Sequence, residues 1–400
     1  MRCLKRQSQT IRWLNGLLGC VVLMIGVGLL VSCEQTKPPV EATVATIAIK
    51  AETVPETVAY HRFNLEEIIL IVTYSDGTER ELSLQTSMFS ADDLARLNGP
   101  GAHTLTVNYA SLETVFDIVL DIPIPELVQV GEAGVTYTVP TGFNSTPRPV
   151  EGGFYMAKTE TTYALWYAVR IWAEAEGYHF QNLGQEGSRG AIGQAPSHAL
   201  FHPVTKVSWF DTIVWLNALS EHQGLEPVYR DLAGHILRDS RNSQIAILEQ
   251  VVRTNHPGYR LPSPYEWDMA ARWKNDTTST YGSELVGERY WTPRNYASGA
   301  LTSVDDIGAT RAVAWFRGAS GGDMTRPVGL LGPNHLGLYD MSGNVWEWTD
   351  FRNSFGDSQA LGASYYEAAS SVMVAMPFST APTSTWSIIG FRIVRGPDVE

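Results

Sequence analysis

All three cysteines of this 400-residue chain lie within its first 33 residues, at Cys3, Cys20 and Cys33. The remainder of the chain cannot form a disulfide, a cysteine–zinc site or an iron–sulfur cluster. Any domain that it forms must therefore be stabilised by a hydrophobic core. The hydrophobic fraction of 44% and the charged fraction of 18% are typical of globular domains.

The first 32 residues have the composition of an export signal. A basic segment from Arg2 to Arg12 precedes an apolar run from Leu14 to Val31, which ends in Leu-Val-Ser-Cys. This pattern resembles the lipobox of bacterial lipoproteins, in which the chain is cleaved before the cysteine and the thiol accepts a lipid. We predict a signal peptide over residues 1–32 and lipidation at Cys33. The alternatives are an ordinary secretory signal and an uncleaved span, which needs about 20 apolar residues.

The polar residues 33–43 are interpreted as a tether between the membrane anchor and the folded part. The formal net charge of −13, without a basic stripe after the first dozen residues, argues against a nucleic-acid partner. We expect an exported protein that is lipid-anchored in the bacterial cell envelope, at the outer membrane or the cell surface.

Residues 44–123 show the alternation of a β domain. The apolar run Ile68–Tyr74 is followed by Asp76-Gly77, which predicts a hairpin with a type I′ turn, because that turn needs positive φ at both central residues. Further strands are predicted at 45–50, 79–84, 103–109 and 114–120. Because this pattern is similar to bacterial Ig-like domains, we predict an all-β Ig-like sandwich that serves as a spacer.

Five sequence motifs lie one after another between residues 150 and 395. They are Gly-Phe-Tyr-Met at 153–156, His-Pro-Val-Thr-Lys-Val-Ser-Trp at 202–209, Arg-Leu-Pro-Ser at 260–263, the Trp-Glu-Trp segment of residues 334–348, and Ile-Gly-Phe-Arg at 389–392. Together they resemble the sulfatase-modifying factor family, which includes formylglycine-generating enzymes. The resemblance implies an α+β C-type-lectin-like domain, rich in irregular structure, over residues 128–396. Thr162 is predicted to cap an amphipathic helix that runs to Trp172.

In that family the Trp-Glu-Trp segment holds a calcium ion. The resemblance places its ligands here at the side chains of Asp340 and Glu347 and at the backbone carbonyls of Gly343 and Val345. Oxygen donors of this kind suit Ca²⁺. The alternative is that Glu347 accepts hydrogen bonds from the loop amides and binds no metal.

Catalytic members of the family carry a pair of copper-binding cysteines shortly after this segment. Glu367 and Val372 stand at the corresponding positions of this chain. Neither side chain can form the thiolate that such a soft-metal site requires. We therefore predict no catalytic residue, no copper and no oxidase activity.

Residues 362–388 are poor in charge and rich in aromatic and hydroxyl side chains, a mixture that is typical of antibody-like binding surfaces. This stretch resembles the variable region of proteins diversified by retroelements, such as the variable lipoproteins of treponemes. An extracellular protein or glycan ligand is predicted to contact Tyr365, Tyr366, Phe378, Ser379, Thr380, Thr383, Ser384 and Trp386. The alternative is that the stretch is a structural shell left after an ancestral site was lost.

Three hypotheses of function follow. The first is a lipid-anchored ligand-binding protein, the second an oxidase of the formylglycine-generating type, which the missing cysteines contradict, and the third a structural envelope protein. His198 and His202 have a spacing found in zinc sites, but the prolines that flank them favour an ordinary surface role.

Overall fold

The computed structural model describes residues 42–97, 99–141, 146–197, 201–241, 251–275, 282–319, 323–374 and 376–397. The predicted signal peptide, Cys33, most of the tether and His198 lie outside these residues. Within them, no helix combines the length and the apolar character that crossing a bilayer requires.

The N-terminal module is built from short strands around an apolar interior. Its elements are β1 (Val44–Ile49), β2 (Thr57–Ala59), β3 (Ile69–Tyr74), β4 (Glu79–Ser83), α1 (Ala91–Arg96), β5 (Gly101–Tyr109) and β6 (Leu112–Asp121). They form two sheets with strand orders β1-β3-β4 and β2-β6-β5. Side chains on β6 alternate, so that Phe116, Ile118 and Leu120 are buried while Val115 and Val119 are exposed. The module is mostly β, although it contains the short helix α1, which the all-β prediction did not include. The Ig-like assignment stays a prediction.

The predicted hairpin at Asp76-Gly77 is present, but its turn type is not the predicted one. Strands β3 and β4 pair antiparallel, with Thr73 opposite Glu79. Only Gly77 has positive φ, at 83°, and the Tyr74 N–H donates to the Thr78 carbonyl. The loop therefore has three residues with the left-handed position at Gly77, a geometry that needs only one such residue. The type I′ prediction was wrong.

The C-terminal region contains many short strands and four further helices among the described residues. Its first half holds β7 (Leu127–Val130), β8 (Thr136–Val139), β9 (Arg148–Glu151), β10 (Phe154–Ala157), α2 (Tyr163–Ala175), β11 (Gln185–Glu186), β12 (Val204–Thr205), α3 (Trp209–His222) and β13 (Tyr229–Arg230). Its second half holds β14 (Val252–Arg253), β15 (Tyr259–Arg260), α4 (Pro264–Arg272), β16 (Glu284–Val286), β17 (Arg289–Trp291), α5 (Ile307–Arg311), β18 (Trp346–Arg352), β19 (Ser358–Leu361), β20 (Pro377–Thr380), β21 (Ile389–Phe391) and β22 (Val394–Arg395).

Two four-stranded sheets, with orders β15-β22-β10-β7 and β20-β19-β18-β21, form the framework of this region. Hydrogen bonds from side chains fix where its helices begin. The Thr162 hydroxyl accepts from the Leu165 N–H, which confirms the predicted cap, although α2 continues beyond Trp172 to Ala175. Capping boxes start α3 at Ser208 and α4 at Ser263, and each satisfies otherwise unpaired N–H groups.

The N-terminal module is packed against α2. The rings of Tyr60 and Tyr167 stack with centroids 6.5 Å apart, and a Cβ added at Gly99 would lie 3.2 Å from a methyl group of Ile171. Residues 44–400 accordingly form one compact unit. A spacer that moves independently would leave Tyr60 in water, yet it is 1% exposed. The module is therefore part of the folded body, and its role as a spacer stays a prediction.

The shared core predicts coupled unfolding. Replacement of Tyr60 by alanine should lower the free energy of unfolding by about 3–5 kcal/mol, because it empties a buried aromatic position. Apart from Trp13, the tryptophans all follow residue 160, so their fluorescence reports on the C-terminal region alone. Urea denaturation followed by this fluorescence should therefore report the whole decrease in the free energy of unfolding that Tyr60→Ala causes.

Phe355→Ala provides the matched control, because that ring is 89% exposed and its loss should change stability by less than about 0.5 kcal/mol. If Tyr60→Ala left the tryptophan transition in place and created a second transition, the two regions would not share a core.

Candidate functional site

The Trp-Glu-Trp segment forms the start of an interior strand. β18 lies between β19 and β21, and Trp346, Glu347 and Trp348 are all buried. The Trp348 indole donates to the Val207 carbonyl at 3.2 Å, which attaches the strand to the segment before α3. Both faces of this strand are therefore covered, and a carboxylate on it needs a partner.

Arg392 is the partner of Glu347. Both side chains are 0% exposed and their closest oxygen and nitrogen atoms are 2.6 Å apart. The Trp267 indole also donates to Glu347 at 2.8 Å. The guanidinium uses its other N–H groups on the carbonyls of Ala157 and Tyr339. Burial acts to lower the pKa of Arg392, but the neighbouring Glu347 carboxylate outweighs it and the pKa is raised.

Two further buried carboxylates lie near this pair. The Asp340 Oδ2 atom accepts from the Gly329 N–H at 2.7 Å, while its buried Oδ1 atom has no hydrogen-bond partner among the described residues. Glu160, which sequence reasoning missed, accepts from the Val345 N–H and from the Asn344 side chain. Burial raises the pKa of Glu160, and it raises the pKa of Asp340 to about 6.

The predicted calcium ligands do not fit this arrangement as a set. Calcium takes six to eight oxygen ligands, but the Glu347 carboxylate is already occupied by Arg392 and Trp267. Among the described residues, no group of three or more acidic, histidine or cysteine side chains is placed to hold a metal ion. The alternative, in which the Glu347 carboxylate accepts hydrogen bonds from the loop amides, also differs from the structure, because the donors to Glu347 among the described residues are Trp267 and Arg392. Calcium in this loop stays a prediction that would require displacement of a buried guanidinium.

Glu367 and Val372, which stand where the family resemblance predicts cysteines, make structural contacts. The Glu367 carboxylate accepts from the Ser364 N–H at 2.9 Å and from the Trp346 indole at 3.2 Å, and the Ser364 hydroxyl also donates to it. Val372 is fully buried. Glu367 thus organises the loop after β19, and Val372 belongs to the core.

Three of the predicted ligand contacts line one open cavity of about 520 Å³. We call it the aromatic groove, and its walls are Lys206, Tyr365, Tyr366, Thr385, Trp386, Ser387 and Ile388. Tyr366 is 56% and Trp386 48% exposed, whereas Tyr365 is 5% exposed. Exposed rings beside a concave surface of this size suit recognition of a small ligand.

Phe378 packs between Trp346 and the groove residue Trp386. Its ring stacks on Trp346 with centroids 5.4 Å apart and meets the edge of Trp386 at 6.0 Å. The three rings form a continuous row from the buried strand β18 to the surface. Phe378 therefore holds Trp386 in place and does not itself line the groove.

The four predicted hydroxyl contacts lie beside the groove and are not part of its wall. The hydroxyls of Thr380 and Ser384 are 2.9 Å apart and bond to each other, while Ser379 and Thr383 are exposed. The structure therefore brings the aromatic members of the predicted set together and leaves the hydroxyl members at the margin.

Sequence reasoning missed Lys206 and Arg317. Lys206 lines the groove because its N–H donates to the Trp386 carbonyl at 3.3 Å. The Arg317 guanidinium lies 5.7 Å from the centre of the Tyr366 ring. Both residues are far from 362–388 along the chain, and no local pattern signals the contact.

Comparison with known proteins identifies relatives of this region. The sulfatase-modifying factor enzyme 1-like domain matches residues 127–397. The chaperone protein LppX of Paenibacillus barcinonensis is 34% identical over 198 residues, which are 49% of this chain and 61% of that protein. The formylglycine-generating enzyme of Mycobacterium tuberculosis is 37% identical over 119 residues, 30% of this chain and 34% of the relative. The inactive C-alpha-formylglycine-generating enzyme 2 of Bos taurus is 31% identical over 149 residues, which are 35% of this chain and 44% of that protein. The chain thus spans less than two thirds of each relative.

Two solved structures resemble this chain, and the likeness to CarF supports the fold of the C-terminal region. The crystal structure of CarF matches with a TM-score of 0.51 and 29% identity, over 69% of this chain and 99% of CarF. Treponema denticola variable protein 1 matches with a TM-score of 0.47 and 23% identity, over 74% of this chain and all of that one. For the predicted α+β C-type-lectin-like domain, the coarser statement is confirmed: the region is mostly β with a low helix content, and its relatives are formylglycine-generating-enzyme-like proteins.

The buried ion pair predicts the response to mutation and to calcium. Arg392→Met should lower the free energy of unfolding by about 3–5 kcal/mol, because it leaves the Glu347 charge buried and unpaired. Because Arg392 already neutralises Glu347, we expect the melting temperature of the unaltered protein to be the same in calcium and in EDTA. Scanning calorimetry measures both effects.

The double variant Arg392→Met/Glu347→Leu serves as the control, since it removes both charges and should cost less than Arg392→Met alone. Stabilisation of the unaltered protein by calcium, with loss of that stabilisation in Glu347→Gln, would show that the metal displaces the guanidinium.

Proposed function

Because the chain belongs to the sulfatase-modifying factor enzyme 1-like domain family, we propose that it is a non-oxidising member whose aromatic groove binds an extracellular ligand. The observation that carries the proposal is the pairing of two changes in one segment. The copper-binding cysteines are replaced by Glu367 and Val372, and the residues beside Glu367 form an open groove with exposed aromatic rings.

The contacts of the two replacing residues support a non-oxidising function. Glu367 is held by hydrogen bonds from Ser364 and Trp346, and Val372 is packed in the core. Neither position offers a sulfur atom for copper. Family membership does not require activity, since the Bos taurus relative is named as inactive.

The proposed cellular setting follows from the first part of the sequence. We propose lipidation at Cys33, an anchor in the bacterial envelope with the folded body at the outer membrane or cell surface, and an Ig-like character for the N-terminal module. The module packs on α2 through Tyr60, so in this proposal it supports the C-terminal region rigidly.

The name of the Paenibacillus relative supports a second candidate, a chaperone. A chaperone would bind unfolded polypeptides of many sequences through apolar contacts, whereas a ligand-specific groove would not distinguish folded from unfolded carriers of its ligand. Binding of a reduced, unfolded test protein that is unaffected by Trp386→Ala would favour the chaperone role.

The proposed lack of oxidase activity can be tested directly. The purified protein, incubated with copper, oxygen and a sulfatase-type cysteine peptide, should form no formylglycine, because it lacks the thiolate pair. Mass spectrometry of the peptide measures the product, and the Mycobacterium tuberculosis relative is the positive control. Formylglycine production by this chain would contradict the proposal.

The second prediction concerns variation of the groove between isolates. If residues 362–388 are a diversified ligand surface, substitutions should concentrate at exposed positions such as Tyr366, Thr383 and Trp386. The buried residues Tyr365 and Val372 should remain fixed, because changes there disturb the core. Sequencing the locus from several isolates tests this, and substitutions scattered evenly over both sets would oppose diversification.

A further inference from the structure

Two cationic side chains lie at the aromatic groove. Lys206 forms part of its wall, and the Arg317 guanidinium lies over the Tyr366 ring. None of the ion pairs among the described residues includes either side chain. In a protein with a formal net charge of −13, two cations without a carboxylate partner beside one groove create a local preference for an anion.

The backbone at Lys206 supports a role for its side chain. Its φ is 58°, in the left-handed region where the Cβ of an ordinary residue lies too close to the following carbonyl oxygen. Glycine adopts this conformation without that cost. A lysine in a strained position beside a groove suggests that the ammonium group is retained for binding.

The remaining groups favour a saccharide as the carrier of the anion. The exposed faces of Tyr366 and Trp386 offer flat apolar surfaces, and Thr385 and Ser387 offer hydroxyls that both donate and accept. A sugar ring presents an apolar face and several hydroxyls together, so it can use both kinds of wall. The cavity of about 520 Å³ is within the range of small-ligand sites.

We propose that the aromatic groove binds a carboxylated saccharide, with the carboxylate at Lys206 and Arg317 and the sugar ring against Trp386. This inference rests on the ligand-binding function proposed above and adds the chemical class of the ligand.

The experiment is titration calorimetry of the full chain with digalacturonate. The matched neutral probe is the disaccharide in which both carboxylates are reduced to alcohols. We expect digalacturonate to bind at least tenfold more tightly than the neutral probe, and added salt to weaken its binding, since the attraction is electrostatic. An oligoglutamate peptide tests an acidic polypeptide as the ligand.

Lys206→Gly separates binding from folding. It removes the ammonium and relieves the backbone strain, so it should weaken digalacturonate binding at least tenfold while the melting temperature is unchanged or higher. Lys206→Arg should retain most of the binding. Ala110→Gly relieves a comparable strain at φ 51° in the β5–β6 turn, which does not line the groove, and it should leave binding unchanged.

The outcomes are distinguishable. Equal binding of both disaccharides, unaffected by Lys206→Gly, would overturn the preference for an anion but would leave the proposed binding function in place. Preferential binding of oligoglutamate would overturn the saccharide class. Absence of binding to digalacturonate would overturn this inference. The proposed function as a whole would be overturned by formylglycine production in the oxidation assay. It would also be overturned if Trp386→Ala weakened the binding of no ligand in a broad binding screen.

Discussion

The buried ion pair between Glu347 and Arg392 is the interaction on which the C-terminal region depends. Removal of two charges from water costs several kcal/mol for each ion, so such a pair is stable only where every remaining polar atom has a partner. Trp267 and the carbonyls of Ala157 and Tyr339 supply those partners. Because these residues come from separate segments of the chain, the pair fixes the positions of those segments relative to one another.

The groove is built on this fixed framework. Strand β21 leads to Arg392, and the segment before it carries Trp386, whose carbonyl accepts from Lys206. Trp346, which precedes Glu347 on β18, supports Trp386 through Phe378. The strands β18 and β21 thus fix the positions of the exposed rings of the groove. Where the family resemblance implies reactive cysteines, this chain has a carboxylate that organises a loop and an aliphatic side chain in the core.

The sequence allowed prediction of features that are set by neighbouring residues. The cap at Thr162 and the hairpin at Asp76-Gly77 depend on local chemistry, and both are present. The turn type was mispredicted because Asp-Gly is also compatible with a loop that has one left-handed residue. Contacts between distant residues could not be predicted, since no local pattern connects Arg392 with Glu347 or Lys206 with Trp386. The predicted calcium ligands and the missed cations share this cause.

The position of β22 within its sheet has a consequence for the order of folding. This strand lies between β15 and β10, although it follows both in the chain, and Arg392 lies two residues before its start. While the ribosome is still adding residues, β10 and β15 lack their common neighbour and Glu347 lacks its counter-charge. Such late pairing over long sequence separations makes folding slow. The C-terminal region should therefore complete its core only after synthesis has passed Val394.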